Sequence, residues 1–224
     1  MDSLKRMVAL VPEEFQLELK RLHYRFQLWT GKFITFEPEF NMLHEWVNDG
    51  DWVIDIGANI GHYTIRLSEL VGPQGRVIAF EPVPSTFANL TSNTRFSNHK
   101  NITLFNAAVS DKSTLVGMSI PNFSTGLKNY YKANISSAPE DSEESVLTLS
   151  IDSLKLDHRI SLIKIDAESH EPIVFRGLYK IVKRDKPTLI IETVTDEIRN
   201  PLLGLGYTEE KLTDSPNVVF KVAR

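Results

Sequence analysis

The chain has 224 residues, of which 42% are hydrophobic and 24% are charged, and its formal net charge is −4. This length fits one α/β domain with a short N-terminal extension and one sizeable core. The negative net charge argues against a nucleic-acid partner held by bulk electrostatics. Because the chain has no cysteine, disulfides, thiolate metal sites and cysteine nucleophiles are excluded.

No segment has the pattern of a targeting or membrane-spanning sequence. The apolar run before Pro12 has five residues, which is too short for the core of a signal peptide. No stretch approaches the ~20 apolar residues of a transmembrane helix. We therefore expect a soluble, cytoplasmic protein with no membrane partner.

The first predicted elements are two helices that form an N-terminal helical extension over residues 1–48. Residues 1–30 have a helical pattern with a mixed face, and we expect this segment to pack over one side of the domain. The side chains of that face are Phe15, Leu19, Leu22, Phe26 and Trp29. A second short helix is predicted over Pro38–Val47, before the turn signal Asn48-Asp49-Gly50.

Residues 49–224 show strands that alternate with helices. Short apolar runs bounded by turn residues predict buried strands. These runs are Trp52–Ile56, Arg76–Phe80, Ile102–Phe105, Ser161–Ile165, Thr188–Ile191, Tyr207–Leu212 and Val218–Val222. Helices are predicted before Gly72-Pro73, from Pro84, over Glu171–Arg184 and near Asp196–Leu205. The alternation predicts a Rossmann-like α/β fold, with a mostly parallel seven-stranded sheet, helices on both faces and an antiparallel C-terminal strand.

An insertion near residues 111–150 interrupts this alternation. Leu115–Ile120 and Val146–Ile151 have the pattern of two strands that pair as an antiparallel hairpin. Between them, Ser136–Ser145 is polar and acidic, which predicts an exposed mobile loop. A lid over an acceptor site is the alternative interpretation of this loop.

Polar side chains stand at the ends of five predicted strands. They are Asp55, Glu81, Asn106, Asp166 and Glu192. In an open parallel sheet, ligands bind outside the carboxyl ends of the strands. Four carboxylates at four strand ends, with glycines after the first, therefore indicate a binding site.

The loop after the first strand indicates which ligand this site would take. Gly57 and Gly61 have the spacing Gly-x-x-x-Gly, not the Gly-x-Gly-x-x-Gly of dinucleotide binders. Glycine permits a tight turn and the close approach of a ligand. Asp55 at the loop entrance would repel a phosphate but suits a cationic group. S-adenosylmethionine carries both an ammonium and a sulfonium.

Two further strand ends fit the nucleoside part of that cofactor. Glu81 follows Gly61 by 20 residues, where an acid can accept hydrogen bonds from both ribose hydroxyls. Asn106 and Ala107 end the third strand, where an adenine edge would lie. His62 follows the glycine loop and is a further candidate for contact with the cofactor.

Four segments of the chain together carry a family resemblance: Val53–Tyr63 (VIDIGANIGHY), Val77–Pro82 (VIAFEP), Asn106–Asp111 (NAAVSD) and Leu162–Glu171 (LIKIDAESHE). In this order they resemble the FkbM-type methyltransferases. The resemblance runs from about Glu37 to Glu192. It implies a class I methyltransferase fold, S-adenosylmethionine as donor, and hydroxyl groups on sugars or natural products as acceptors. The family pattern Asp-x-Glu-Gly-x-Glu has Ser169 in place of its glycine here.

The resemblance and the strand-end pattern together give the expected site residues. The expected cofactor contacts are Asp55, Gly57, Ala58, Asn59, Gly61, His62, Glu81, Pro82, Asn106 and Ala107. By the resemblance, Asp166, Glu168 and His170 would face the transferred methyl group. His170 is the preferred general base because its ordinary pKa lies near neutrality. Glu168 or Asp166 would orient it or act instead.

We therefore predict an S-adenosylmethionine-dependent O-methyltransferase with a small-molecule or glycan acceptor. Two other classes stay open: a non-catalytic module that binds S-adenosylmethionine, and a nicotinamide-dependent oxidoreductase. No metal site is assigned, although oxygen ligands from Asp166, Glu168 and Glu192 would suit a hard cation such as Mg²⁺.

Overall fold

The structure is a computed structural model that describes residues 11–121, 134–136 and 144–222. Its helices are α1 (Glu13–Trp29), α2 (Pro38–Trp46), α3 (His62–Val71), α4 (Pro84–Thr94), α5 (Glu171–Asp185) and α6 (Asp196–Gly204). Its strands are β1 (Trp52–Ile56), β2 (Arg76–Phe80), β3 (Ile102–Phe105), β4 (Ala108–Val109), β5 (Thr114–Ser119), β6 (Asn134–Ser136), β7 (Glu144–Leu149), β8 (Ile160–Ile165), β9 (Thr188–Ile191), β10 (Tyr207–Lys211) and β11 (Val218–Val222). A short 3-10 helix spans Ile151–Leu154.

The main sheet has seven strands in the order β10-β11-β9-β8-β1-β2-β3. Strand β1 pairs in parallel with β2 and β8, and the β2–β3 and β8–β9 pairs are also parallel. Strand β11 lies antiparallel between β9 and β10. The predicted α/β fold class is thus confirmed. The chain changes direction across the sheet between β1 and β8, and such a switch point leaves a crevice at the carboxyl ends of the strands.

Both faces of the sheet are buried, which explains the near-continuous apolar runs of its strands. On one face, Val53 clusters with Leu43 of α2 and Leu67 of α3. On the other face, Ile54 clusters with Leu178 of α5. Because side chains alternate along a strand, Asp55 points to the same face as Val53. The sheet therefore directs Asp55 towards α3 and away from α5.

Helix α1 packs over one side of the domain, as predicted, but it does not pack through the face that carries the named apolar side chains. All five apolar side chains named for it are more than half exposed, and Trp29 is 83% exposed. The opposite face of α1 contacts the body of the protein, where the rings of Tyr24 and buried Phe33 lie 6.2 Å apart. A row of apolar side chains predicts that a helix face is covered, but it does not identify the protein surface that covers it. Among the described helices, none has both the length and the apolar content needed to cross a membrane.

The insertion forms a second sheet. Strands β5 and β7 pair antiparallel with Leu115 opposite Leu147, as the hairpin prediction requires. Strand β6 adds to β5, and β4 pairs in parallel with β7, which gives the order β4-β7-β5-β6. Met118 of this sheet packs with Val83, which follows β2. The loop predicted over Ser136–Ser145 falls largely outside the described residues.

Candidate functional site

Two neighbouring cavities open at the carboxyl ends of the parallel strands. The larger, of about 340 Å³, is lined by residues that include Glu37, Gly57, Asn59, Glu81, Pro82, Ala107, Met118, Asp166, Glu168, His170 and Glu192. The smaller, of about 240 Å³, is lined by residues that include Glu37, Asp55, Gly57, Ala58, Asn59, His62, Lys164 and Asp166. The shared wall residues join the two into one crevice of a size suited to a small molecule.

Two predicted cofactor contacts lie outside both sets of lining residues. The side-chain amide of Asn106 donates to the carbonyl oxygens of Glu81 and Pro82, each at 2.9 Å, so it fixes the turn after β2. Gly61 precedes α3 with a φ of 99°, and a Cβ there would lie 2.8 Å from Leu90 Cδ1. Both residues therefore fix the backbone around the crevice and are not part of its wall.

Position 57 requires a glycine because the ends of β1 and β8 come together there. Its φ is 75°, and a Cβ there would lie 1.8 Å from the backbone oxygen of Asp166. The N–H of Asp166 also donates to the carbonyl of Ile56 at 3.1 Å, which ties β8 to β1 at this point. A glycine was expected here for a tight turn and for the close approach of a ligand, whereas the nearest obstacle to a side chain is the backbone of Asp166.

Asp55 carries a buried carboxylate oxygen that has no hydrogen-bond partner within the described part of the chain. Its other oxygen accepts a hydrogen bond from the Thr64 hydroxyl at 2.6 Å. Burial raises the pKa of Asp55, and the nearby Lys164 ammonium offsets part of that effect. A buried polar atom without a partner is costly. The free oxygen on a cavity wall is therefore suited to a cationic or hydrogen-bond-donating ligand.

Lys164 is a site residue that the sequence argument missed. It is buried opposite Asp55 in the β1–β8 register, and its Nζ donates to Asp166 Oδ2 at 2.9 Å. Burial lowers the pKa of Lys164, but the carboxylates of Asp166 and Asp55 raise it above its ordinary value, so the ammonium stays charged. The missed signal was a lysine inside an apolar strand, because a buried cation requires an anionic partner.

Glu81 ties the end of β2 to the glycine loop. Its Oε2 accepts from the Asn59 N–H at 2.9 Å and its Oε1 from the Val83 N–H at 3.0 Å. Burial raises the pKa of Glu81 to about 7, even though both hydrogen bonds favour the charged form. Each carboxylate oxygen can accept a second hydrogen bond, and the side chain lines the larger cavity.

Three carboxylates meet at the ends of β8 and β9. One oxygen each from Asp166, Glu168 and Glu192 lie within 4.8 Å of one another. Burial raises the pKa of Asp166, but the Lys164 charge and hydrogen bonds from Lys164 and Glu192 lower it overall. Burial and the Asp166 charge raise the pKa of Glu192 to about 8. Glu192 thus holds a proton at neutral pH while Asp166 is ionised. This trio could hold a hard cation, although Lys164 already gives Asp166 a positive partner.

His170 lines the larger cavity just before α5 begins. Its Nε2 lies 3.3 Å from the Ser110 hydroxyl oxygen. Burial lowers the pKa of His170, while the charges of Asp111 and Arg176 act in opposite directions. The imidazole is therefore neutral at pH 7 and can accept a proton.

The segment between α1 and α2 forms a wall that no sequence motif marked. Glu37 lines both cavities, and its carboxylate accepts a hydrogen bond from the Tyr63 hydroxyl at 2.5 Å. Phe33 packs against the His62 ring with centroids 4.2 Å apart. Burial, followed by the Lys164 charge, lowers the pKa of His62 to about 4. This histidine is therefore neutral on the wall of the smaller cavity.

A model of the methyltransferase FkbM domain matches residues 55–208, which is most of the chain. The chain belongs to the FkbM methyltransferase family. Methyltransferase 1 of Beauveria bassiana (strain ARSEF 2860) is 25% identical to it over 151 residues, which cover 58% of this chain and 59% of that protein.

Solved structures agree with this FkbM assignment at the level of the fold. The crystal structure of Methyltransferase FkbM from Methylobacillus flagellatus KT superposes with a TM-score of 0.54 and 17% identity, covering 81% of this chain and 50% of that one. A candidate rRNA methylase from Clostridium thermocellum gives a TM-score of 0.51 and 14% identity, over 83% of this chain and 94% of that one. The chain thus spans 59% of the length of the Beauveria bassiana protein and 50% of the length of the Methylobacillus flagellatus protein.

One departure from the FkbM pattern has a visible structural consequence. Ser169, which stands in place of the family glycine, has a φ of 76°, and Glu168 before it has a φ of 48°. Two successive left-handed residues turn the chain from β8 into α5. Left-handed backbone costs a non-glycine residue about 1–2 kcal/mol. The turn is therefore formed here with a strain that glycine would remove.

Proposed function

We propose that this FkbM-family chain is an S-adenosylmethionine-dependent methyltransferase that methylates a hydroxyl group of a sugar, glycan or small natural product. The observation that carries the proposal is the shared crevice. One part is lined by the unpaired oxygen of Asp55, and the other is lined by Glu81 and the neutral imidazole of His170. Methyl transfer requires one crevice that holds the cofactor and the acceptor side by side, and a cofactor bound to Asp55 and Glu81 would span both parts and end near His170.

The residues of the crevice fit this cofactor better than a dinucleotide. Asp55, Glu81 and the cluster at Asp166 make the walls acidic, and Lys164 is the buried cation among them. S-adenosylmethionine has a net positive charge through its ammonium and sulfonium. A nicotinamide dinucleotide would instead bring a pyrophosphate to these carboxylates, which would repel it. We assign Asp55 to the cationic amino-acid end and Glu81 to the ribose.

When bound, the cofactor supplies a methyl carbon that its sulfonium makes electrophilic. The protein then has to hold the acceptor hydroxyl in line and remove its proton. His170 is neutral, lines the same cavity as Glu81, and is held by Ser110. It is therefore the base that we propose, and Glu168 beside it would orient the acceptor through hydrogen bonds.

The experiment is methyl transfer from S-adenosylmethionine with a labelled methyl group to a panel of hydroxylated small molecules and glycans. The proposal predicts label on the oxygen of at least one class of acceptor. Cofactor binding without transfer to any acceptor would favour the non-catalytic module. Binding of NAD in preference to S-adenosylmethionine would favour the oxidoreductase.

A further inference from the structure

Helix α1 presents an apolar face that the described residues leave uncovered. We call this face the α1 seam. Its members are between 54% and 83% exposed and comprise Phe15, Leu19, Leu22, Phe26 and Trp29. Single exposed apolar side chains are common on protein surfaces, but five large ones in a continuous row form a patch of the kind that marks an interaction surface.

The spacing along the seam is that of a coiled coil. Its members follow one another at intervals of four, three, four and three residues, which average 3.5. A helix that packs on a globular core shows a wider stripe, whereas a narrow stripe with this period is the seam along which two helices meet. In heptad terms, Leu19 and Phe26 occupy a positions, and the other members occupy d positions. The occupant that fits the seam is another helix with the same spacing.

The charges beside the seam fit a second copy in antiparallel orientation. Glu18 and Arg25 occupy the g positions, and both are exposed. In an antiparallel pair the g positions of the two helices face each other, so Glu18 of each copy lies opposite Arg25 of the other. A parallel pair would instead place Glu18 opposite His23 and Arg25 opposite Thr30. The antiparallel order therefore forms two ion pairs by symmetry.

The contacts that these charges make within the chain are weak enough to be exchanged. Glu18 pairs with Arg21 on the surface, and Arg25 lies 5.9 Å above the Phe96 ring. Exposed pairs of this kind contribute about 0–1 kcal/mol. A partner helix that removes water from the seam would strengthen the pairs across it.

The size and charge of the seam favour a second copy over a lipid surface. Five such side chains, each more than half exposed, offer roughly 500 Å² per copy, or ~1,000 Å² for two copies, which reaches the lower limit for a specific interface. Helices that lie on anionic membranes carry mostly Lys and Arg beside the apolar face. Here Glu18 balances Arg25, and the whole chain has a net charge of −4.

We propose that two copies of this chain form a two-fold symmetric dimer in which their α1 seams pack antiparallel. Each copy uses the same surface, as a closed two-fold interface requires. The inference does not rest on the proposed function, because the lining residues of both cavities lie after the end of α1.

Sedimentation equilibrium of the purified full chain at concentrations up to about 100 µM tests the dimer. The wild-type protein should reach the mass of two chains. Leu22→Glu/Phe26→Glu should raise the dissociation constant by at least about 100-fold, because it places four carboxylates in the seam. Leu203→Glu, at an exposed leucine of α6, is the matched control and should leave the constant unchanged. Circular dichroism melts check that each variant is folded.

A charge exchange tests the orientation. Glu18→Arg and Arg25→Glu should each weaken the dimer several-fold, and the double variant should recover most of the wild-type constant. A double variant as weak as the single ones would overturn the antiparallel order. A wild-type chain that stays monomeric, or a Leu22→Glu/Phe26→Glu dimer as tight as wild type, would overturn the proposal. Flotation with phosphatidylcholine–phosphatidylglycerol vesicles identifies a lipid-facing seam, which would also overturn it.

Discussion

Glu81 holds the wall of the crevice together and also lines its larger cavity. Its two oxygens accept the N–H groups of Asn59 and Val83, which fixes the glycine loop against the end of β2. Its position at a strand end could be predicted from the sequence. Its raised pKa could not, because burial depends on β3, α4 and the loop that close around it.

Glu81 has a pKa of about 7, so the proposed contact between Glu81 and the cofactor ribose predicts an affinity that depends on pH. Ribose hydroxyls donate to a carboxylate, so the ionised form binds and the protonated form binds weakly. Because the ionised fraction grows as pH rises, S-adenosylmethionine affinity should increase about tenfold from pH 6 to pH 8. Calorimetric titration across this range measures it.

Two variants isolate the source of that pH dependence. Glu81→Gln should bind about 10- to 100-fold more weakly than wild type, the scale of hydrogen bonds to a charged group, and its affinity should vary little with pH. Glu192→Gln removes a second crevice carboxyl with a raised pKa, about 8, and should keep the rise through pH 7. An affinity that is flat with pH in the folded wild-type protein would refute the ribose assignment.

His170 is the residue on which the proposed chemistry depends. His170→Ala should lower the single-turnover rate of methyl transfer by roughly 10²–10⁴ and leave cofactor affinity unchanged. Because burial lowers its pKa, the wild-type rate should rise with pH below about 6.5 and level off by neutral pH. His170→Ala with the wild-type rate would move the role of base to Glu168 or Asp166.

At the scale of elements, the turn between β8 and α5 carries strain that a single substitution should relieve. Ser169 has a φ of 76°, and glycine adopts this conformation without steric cost. The left-handed penalty exceeds the entropic cost of glycine by about 0.5–1 kcal/mol, so Ser169→Gly should raise Tm by about 1–4 °C.

Ser169→Ala is the control for this turn, because alanine removes the hydroxyl but keeps the Cβ. It should not raise Tm, and equal stabilisation by alanine and glycine would show that the backbone conformation is not the cause. Thermal denaturation followed by circular dichroism measures all three proteins.

The strands of the main sheet were predictable because each is a short apolar run between turn residues. The mostly parallel arrangement of the sheet was predictable from strand–helix alternation, which leaves few topologies. The face through which α1 packs was not predictable, since Trp29 and its neighbours only show that one face is apolar. Strand β6 was missed because Asn134–Ser136 is too short to have a pattern.

Lys164 shows why the candidate site was only partly predictable. Its partner Asp55 lies opposite it in register, but 109 residues earlier in the chain. The residues next to Lys164 in the sequence do not explain why a lysine interrupts an apolar strand. The pairing of β1 with β8 does, because it brings the Asp55 carboxylate beside Lys164. Glu37 was missed for a similar reason, because its contact with Tyr63 depends on where α2 packs.

At the scale of the whole molecule, the fold gathers acidic groups from distant parts of the chain into one crevice. Asp55, Glu81, Asp166 and Glu192 end β1, β2, β8 and β9, and the parallel sheet brings those four ends to one edge. Within that edge Lys164 forms an ion pair with Asp166, and the Asp55 carboxylate lies close enough to raise the pKa of Lys164. The arrangement favours a cationic small molecule over a phosphate-bearing one.

Calorimetric titration of the purified wild-type chain with S-adenosylmethionine, and separately with NAD, tests this account most directly. We predict that one S-adenosylmethionine binds per chain and that NAD does not compete with it. Asp55→Asn should weaken binding at least tenfold in a folded protein, because the free carboxylate oxygen loses its charge. A folded wild-type chain that fails to bind S-adenosylmethionine, or that binds NAD more tightly, would contradict the account.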